Sequence, residues 1–380
     1  MIDTSARALF DEHHTIFRDS VRRFLAQELT PNIERWERER KVDRAFWRSC
    51  GDMGLLCPGV PQEYGGTGLD FLYNAIIGEE FAYSGCVTAN NLHSDVNVDY
   101  LLHYGSEAQK QRWLPGMVSG EVITAIAMTE PGAGSDLKSI RTTARRDGDE
   151  YVINGTKTYI TNGQNADLII VVVKTDPEAG AKGVSLVLVE ADRAGFARGR
   201  QLDKIGLHSS DTSELFFHDV RVPCTNLLGE ENQGFRYLMS QLPRERLSIS
   251  IMCQGSAQRA FDEAVRFTRE RTAFGRPVLD FQNTRFELAA MSAKLQASWA
   301  HLDWCLRRHV DGKLTADEAA AAKLFHSEVQ WEICDAALQL HGGAGYINEY
   351  PIARLWRDAR VSRIYGGTSE IMKEIIGRTL

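Results

Sequence analysis

Residues 127–136 read AMTEPGAGSD, and residues 339–346 read QLHGGAGY. The first string sets hydroxyls at Thr129 and Ser135 beside Gly132 and Gly134. Its backbone can therefore approach a ligand closely and take positive φ where a turn demands it. Exposed N–H groups in such a loop suit anionic oxygens. The second string places Gly342, Gly343 and Gly345 where a helical pattern ends, so that a bulky group can press on bare backbone. Each string alone also reads as a simple turn. Their order and separation carry the information.

Outward from these strings the chain divides into three stretches. Residues 1–122 read as an α-helical domain, because Leu9, Phe10, Ile16, Phe17, Val21, Phe24 and Leu25 recur at helical spacing and predict one buried face. The loop PQEYGGTGLD interrupts this pattern, which resumes over Phe71–Tyr83. Residues 123–232 change character. Asp147-Gly148 signals a tight turn before an alternating run from Tyr151 to Ile160. β-branched runs follow at 168–173, 184–189 and 215–222, which predicts a small β-barrel or sandwich. Residues 233–380 return to a helical period, with Ala322, Phe325, Val329, Ile333, Ala336 and Leu340 expected in the core of a four-helix bundle. The predicted class is α+β multidomain: helical, then β-barrel, then helical bundle.

The 380 residues carry 44 basic and 51 acidic side chains, a net charge of −7, which argues against nucleic-acid binding. Arg141, Arg145 and Arg146 form only a small basic group that reads as a solvated turn. Seven cysteines without a CxxC pair suggest reduced thiols in a reducing compartment. Asp3, Asp11 and Glu12 break any apolar signal segment, no stretch predicts a membrane span, and the final GRTL is no peroxisomal address. A cytoplasmic location is expected. The ten histidines contain no HExxH, and the chain has neither a GxGxxG after a strand nor a GxxxxGK[ST] loop.

Taken together, AMTEPGAGSD and QLHGGAGY resemble the acyl-CoA dehydrogenase family, flavoenzymes that oxidise the α,β bond of an acyl-CoA thioester. The resemblance runs over essentially the whole chain and matches the family's order of helical, β and helical domains. That chemistry needs a positioned base, stabilisation of the enolate oxygen and a hydride acceptor. No side chain accepts hydride, so a cofactor must, and the resemblance implies FAD. It further implies that Ile126, Met128, Thr129, Gly134 and Ser135 line the flavin, with Ser135 also on the CoA-bearing side. In KTYITNG, Tyr159, Ile160 and Thr161 would pack on and hydrogen-bond the isoalloxazine, Tyr159 standing where many relatives have tryptophan. Tyr159 also reads as an inward strand residue. In ERTAFGRP, Arg271 would meet the pyrophosphate of a neighbouring subunit's FAD, with Phe274 and Gln282 near its adenosine end. A guanidinium suits that role, although Arg271 before Gly275 and Pro277 also reads as a helix C-terminus. Gln339, Gly342 and Gly343 would contact the adenine-ribose end, with Thr368 and Glu370 closing the site. A shared site implies at least a dimer, and the family is usually a homotetramer.

The base sets this chain apart. Many family members end in YEGT, whose glutamate takes the α-proton. Here the string is IYGGTSEI, with Gly366 at that position. The long-chain and isovaleryl-type members carry the base on an earlier bundle helix, and their motif resembles LPRERLSIS at residues 242–250, which makes Glu245 the expected catalytic residue. HSDVNVDYLLHYGSE, from His93, also looks like the long-chain members. Pro243 ahead of Glu245 and Arg246 equally reads as an ordinary helix first turn. Arg246, Gly366 and Gly367 would serve the substrate side, the Gly366 N–H reaching the thioester oxygen. The implied product is the trans-2-enoyl-CoA, with the β-hydride passing to flavin N5 and electrons to an electron-transfer flavoprotein. An acyl-CoA oxidase and a non-catalytic flavoprotein of the same fold are the alternatives. Acyl preference is not specified, and polar Asn90, Asn91, His93 and Asp95 complicate a purely apolar tunnel.

Overall fold

In LIIVVVK, residues 168–174, every side chain is buried, and strand alternation divides them between two cores. Leu168, Ile170 and Val172 join a core shared with the N-terminal helices, while Ile169, Val171 and Val173 join the core of the sheet itself. This strand, β4 (Leu168–Lys174), is thus the wall between two layers. It pairs in parallel with β1 (Thr124–Ala127) and antiparallel with β5 (Val184–Glu190). A hairpin of β2 (Thr143–Asp147) and β3 (Glu150–Thr161) turns at Gly148, and the path continues through β7 (Thr212–Pro223) to β6 (Phe196–Gln201). The result is a half-barrel between two helical domains.

The computed structural model describes residues 7–380; the part of the leader reading that rests on Asp3 lies outside them. Helices α1 (Glu12–Phe24), α2 (Ile33–Glu39), α3 (Arg44–Asp52), α4 (Phe71–Ser84), α5 (Val98–Tyr104) and α6 (Glu107–Ser119) precede the sheet. After it come α7 (Gly234–Glu270), α8 (Gln282–Val310) and α9 (Ala316–His341), with the shorter α10 (Pro351–Ala359) and α11 (Ser369–Gly377) packed on α9. α4 and α7 cross so closely that a Cβ on Gly255 would stand 2.5 Å from the Glu79 carbonyl oxygen. The crossing places α5 and the first half of α7 side by side. No helix among the described residues is long and apolar enough to cross a membrane.

Two expected core residues lie outside it. Ile16 is 58% exposed, because the buried stripe of α1 runs through His14, Arg18 and Val21 and leaves Ile16 on the other side. Phe325 is 38% exposed, since the buried face of α9 centres on Ala322, Lys323, His326 and Val329. Its ring rests on those of His301 and His326.

Candidate active site

Glu245 lies about three turns inside α7, which begins at Gly234. The first-turn reading of Pro243 is therefore corrected: the proline is inside the helix, where its missing N–H leaves the carbonyl four residues earlier without its usual donor. The macrodipole does not account for an acid at this depth. What surrounds Glu245 does. Tyr100 of α5, fully buried, donates its hydroxyl to Glu245 Oε1 at 2.8 Å. Burial pushes the carboxyl up to about 7, against the Tyr100 hydrogen bond and the charge of Arg246, which favour the ionised form. Arg244, one residue before, pairs instead with Asp99. Arg246 is 5% exposed, and its Nε meets no hydrogen-bond acceptor among the described residues.

One helical turn beyond Glu245, Ile249 meets the Gly366–Gly367 turn. Both glycines hold left-handed φ, +62° and +96°. A Cβ at Gly366 would stand 2.3 Å from Ile249 Cδ1, so α7 fills the space in which a side chain at 366 would begin. Behind the turn, Lys323 of α9 donates from Nζ to the Gly367 carbonyl at 2.7 Å. Glu370, by contrast, is exposed in the first turn of α11, and its own backbone N–H and the Thr368 hydroxyl hold its carboxyl below the usual range. Thr368 caps that helix, accepting from the Ile371 N–H at 3.3 Å. Glu370 is placed to stay ionised, not to take up protons near neutrality.

The 127–136 loop is fixed from beneath by an ion pair that sequence reasoning missed. Lys157 Nζ reaches Glu130 Oε1 at 2.8 Å and the Met128 carbonyl at 3.1 Å, and Glu130 also accepts from the N–H groups of Arg141 and Thr142. Thr158 N–H donates to the Thr129 carbonyl at 2.9 Å, joining loop to strand. Ile126 and Ile160 have their side chains in the two cores, so backbone is what they offer a ligand. Met128, Thr129 and Thr161 are half-buried, while Gly134 and Ser135 are exposed. Tyr159 is not the inward residue that alternation suggests. A register shift between Lys157 and Ile160 ejects it, with φ +59° and 69% of its surface exposed. An aromatic in left-handed backbone is strained, and such strain persists where the surroundings impose it.

A cofactor fits these features. A Cβ on Gly132, Gly134, Gly342 or Gly343 would meet no other part of the protein within 4 Å, so these four face open space, whereas Gly345, expected with them, is buried and would place a Cβ 2.5 Å from the Leu338 carbonyl oxygen. The second group is separate from the first. Arg271 closes α7 through its backbone N–H to the Phe267 carbonyl, and its side chain is exposed. It starts a hairpin, β8 (Thr272–Ala273) and β9 (Arg276–Pro277), whose tip, Phe274, is 96% exposed at φ +52°. Gln282, Gln339, Gly342 and Gly343 are exposed on the same bundle. No hydrogen bond or ion pair among the described residues joins this group to the 126–161 residues of the same chain.

Besides Lys157 and Glu130, sequence reasoning missed Tyr100 and Lys323. A usable signal existed for Lys323: it falls among Ala319, Ala320 and Ala322, the small apolar residues that mark the buried side of α9.

Three family models match the chain: acyl-CoA dehydrogenase, N-terminal domain, over residues 11–121; middle domain, over 125–220; and C-terminal domain, over 232–380. The chain is 45% identical over 383 residues to the long-chain specific acyl-CoA dehydrogenase, mitochondrial, of Sus scrofa, covering 100% of this chain and 89% of that protein. It is 38% identical over 384 residues to the isovaleryl-CoA dehydrogenase, mitochondrial, of Oryza sativa subsp. japonica, covering 100% and 94%. Among solved structures, an acyl-CoA dehydrogenase from Geobacillus kaustophilus superposes with a TM-score of 0.97 at 47% identity, over 98% of this chain and 99% of that one.

Proposed function

The chain belongs to the acyl-CoA dehydrogenase family, FAD-dependent oxidoreductases, and from that premise we propose that it removes hydrogen across the α,β bond of an acyl-CoA with Glu245 as base. The observation that carries the reading is the Glu245 carboxyl, whose pKa burial raises to about 7, one helical turn before the Ile249 that packs on the Gly366 turn, which has no side chain of its own. A base is most effective when its pKa lies near the working pH. Glu245 takes the α-proton; the Gly366 N–H donates to the thioester oxygen, where negative charge develops. Arg246, with an unused donor, orders the substrate side. FAD, when bound, supplies the acceptor for the β-hydride.

The residues proposed to hold it are the 126–135 backbone and hydroxyls, Tyr159 to Thr161, and Thr368 with Glu370. Arg271, Phe274, Gln282, Gln339, Gly342 and Gly343 would come from a second subunit, in a homotetramer; the nearly bare Phe274 ring supports burial by another chain. Electron-transfer flavoprotein, the family's partner, is the proposed acceptor. A cytoplasmic location completes the proposal, supported by seven free thiols of which only Cys224 is not buried. The test is anaerobic mixing of FAD-loaded protein with acyl-CoAs of varied length and branching. Flavin bleaching in the wild type and its loss in Glu245→Gln are expected. Bleaching at an unchanged rate in the variant would reject Glu245.

A further inference from the structure

Lys323 has no exposed surface, yet it is a lysine. Burying an ammonium is unfavourable unless something compensates, and the acceptor it meets is one carbonyl, that of Gly367. Facing it are Cys253 and Arg246 from α7, Glu328 on its own helix and Glu370 from α11, and burial lowers its pKa to about 8. α9 also grips the turn at both ends. Glu328 Oε1 accepts from Arg363 Nε at 3.0 Å and from the Ser369 hydroxyl at 3.1 Å. The segment between is held on its other side by Ile249 and Met372, each of which a Cβ at Gly366 or Gly367 would strike.

Resting on the reading of Glu245 as base, we propose that Lys323 is a positioning residue for enolate stabilisation. Through the Gly367 carbonyl it fixes the Gly366–Gly367 turn against α7, and its buried charge favours the negative oxygen of a thioester bound there. The physical ground is preorganisation: a donor already aimed and a charge already buried cost no rearrangement as the proton leaves. In a low-dielectric interior such a charge acts more strongly than in water. Mass and charge balance simply, since the α-proton passes to Glu245 and the electron pair delocalises onto the thioester oxygen.

The test uses FAD-loaded wild type, Lys323→Met, Lys323→Gln and Lys323→Arg, titrated with a 3-ketoacyl-CoA, whose acidic C2 proton gives an ultraviolet-absorbing enolate. The bound ligand's pKa reports enolate stabilisation directly, which a merely structural lysine would not move. Lys323→Met should raise it by about one unit or more, a tenfold loss, with kcat falling more than KM rises. Lys323→Arg should stay close to wild type. Lys323→Gln keeps a donor for the carbonyl without the charge and should fall between. A bound pKa in Lys323→Met or Lys323→Gln equal to that of wild type overturns the proposal. Failure of the wild type itself to bind the ligand would instead reject the acyl-CoA reading.

Discussion

Glu245 makes a quantitative statement about pH. With its carboxyl near 7 in the free protein, the ionised fraction is roughly one-tenth near pH 6 and nine-tenths near pH 8, so kcat/KM should rise about tenfold between them. Tyr100→Phe removes the hydroxyl that donates to Oε1 at 2.8 Å. A hydrogen bond to a charged group contributes about 1.5 kcal/mol or more, so the profile should move up by about one pH unit. Glu245→Gln keeps the shape, removes the basicity and should cost at least about a hundredfold in turnover.

The same shift predicts a stability effect of defined sign. The folded carboxyl sits near 7 and the unfolded one near 4.5, so the folded state binds the extra proton between those values. The contribution of Glu245 to stability is greatest below about pH 4.5 and falls as pH rises towards 7, by up to about 3 kcal/mol if nothing relaxes. Glu245→Gln lacks this loss, so its unfolding midpoint relative to wild type should climb across that window. The assays are kcat/KM profiles and thermal unfolding of FAD-loaded protein. A flat kcat/KM between pH 6 and 8, with turnover intact in Glu245→Gln, would refute the reasoning.

Arg271→Ala should weaken FAD retention about ten- to a hundredfold by removing a charge-assisted contact, read by flavin fluorescence; unchanged affinity in a correctly assembled variant removes Arg271 from the site. Lys157→Met leaves Glu130 buried without its counter-charge; it should cost about 3 kcal/mol in stability and loosen FAD, and an unchanged melting temperature would contradict the anchor role. Moving the base by Glu245→Gly with Gly366→Glu should restore part of the activity relative to Glu245→Gly alone. The recovery should be small until Ile249→Ala is added, because Ile249 Cδ1 occupies the new Cβ position and the left-handed backbone costs about 1 kcal/mol more; equal recovery with and without Ile249→Ala would show that the packing is not what limits it.

An alternating run made β3 legible and β-branched runs made β4, β5 and β7 legible; β4 and β5 divide their side chains between two apolar cores, while β3 and β7 feed the core of the sheet. β1 and β6 carried no such signal. β1 is four residues, too short an apolar run to stand out, and β6 (FARGRQ) has no buried side chain. Tyr159 marks the limit of the periodic argument inside a correctly read strand. The bulge before Ile160 inserts a residue, and every inward–outward assignment beyond it changes sides. Bulges leave little trace in composition, so the exposed ring and its positive φ had to be seen.

The base position divides in the same way. That Gly366 lacks a carboxylate is plain from the letters, and so is the presence of Glu245 elsewhere. Pro243, though, imitates a helix start, because a proline at a first turn and one inside a long helix are preceded by equally ordinary residues. Only the helix running unbroken from Gly234 separates the two. Lys323 is harder still, since a lysine on a helix is normally a solvated one. Its alanine neighbours mark a buried face, but its partner is a carbonyl 44 positions away, and a backbone acceptor has no residue type by which a sequence could announce it. Side chains that act on backbone are therefore the part of this site that pattern cannot supply. For that reason the Gly366–Gly367 turn, built from two residues without side chains, depends for its shape on α7 and α9.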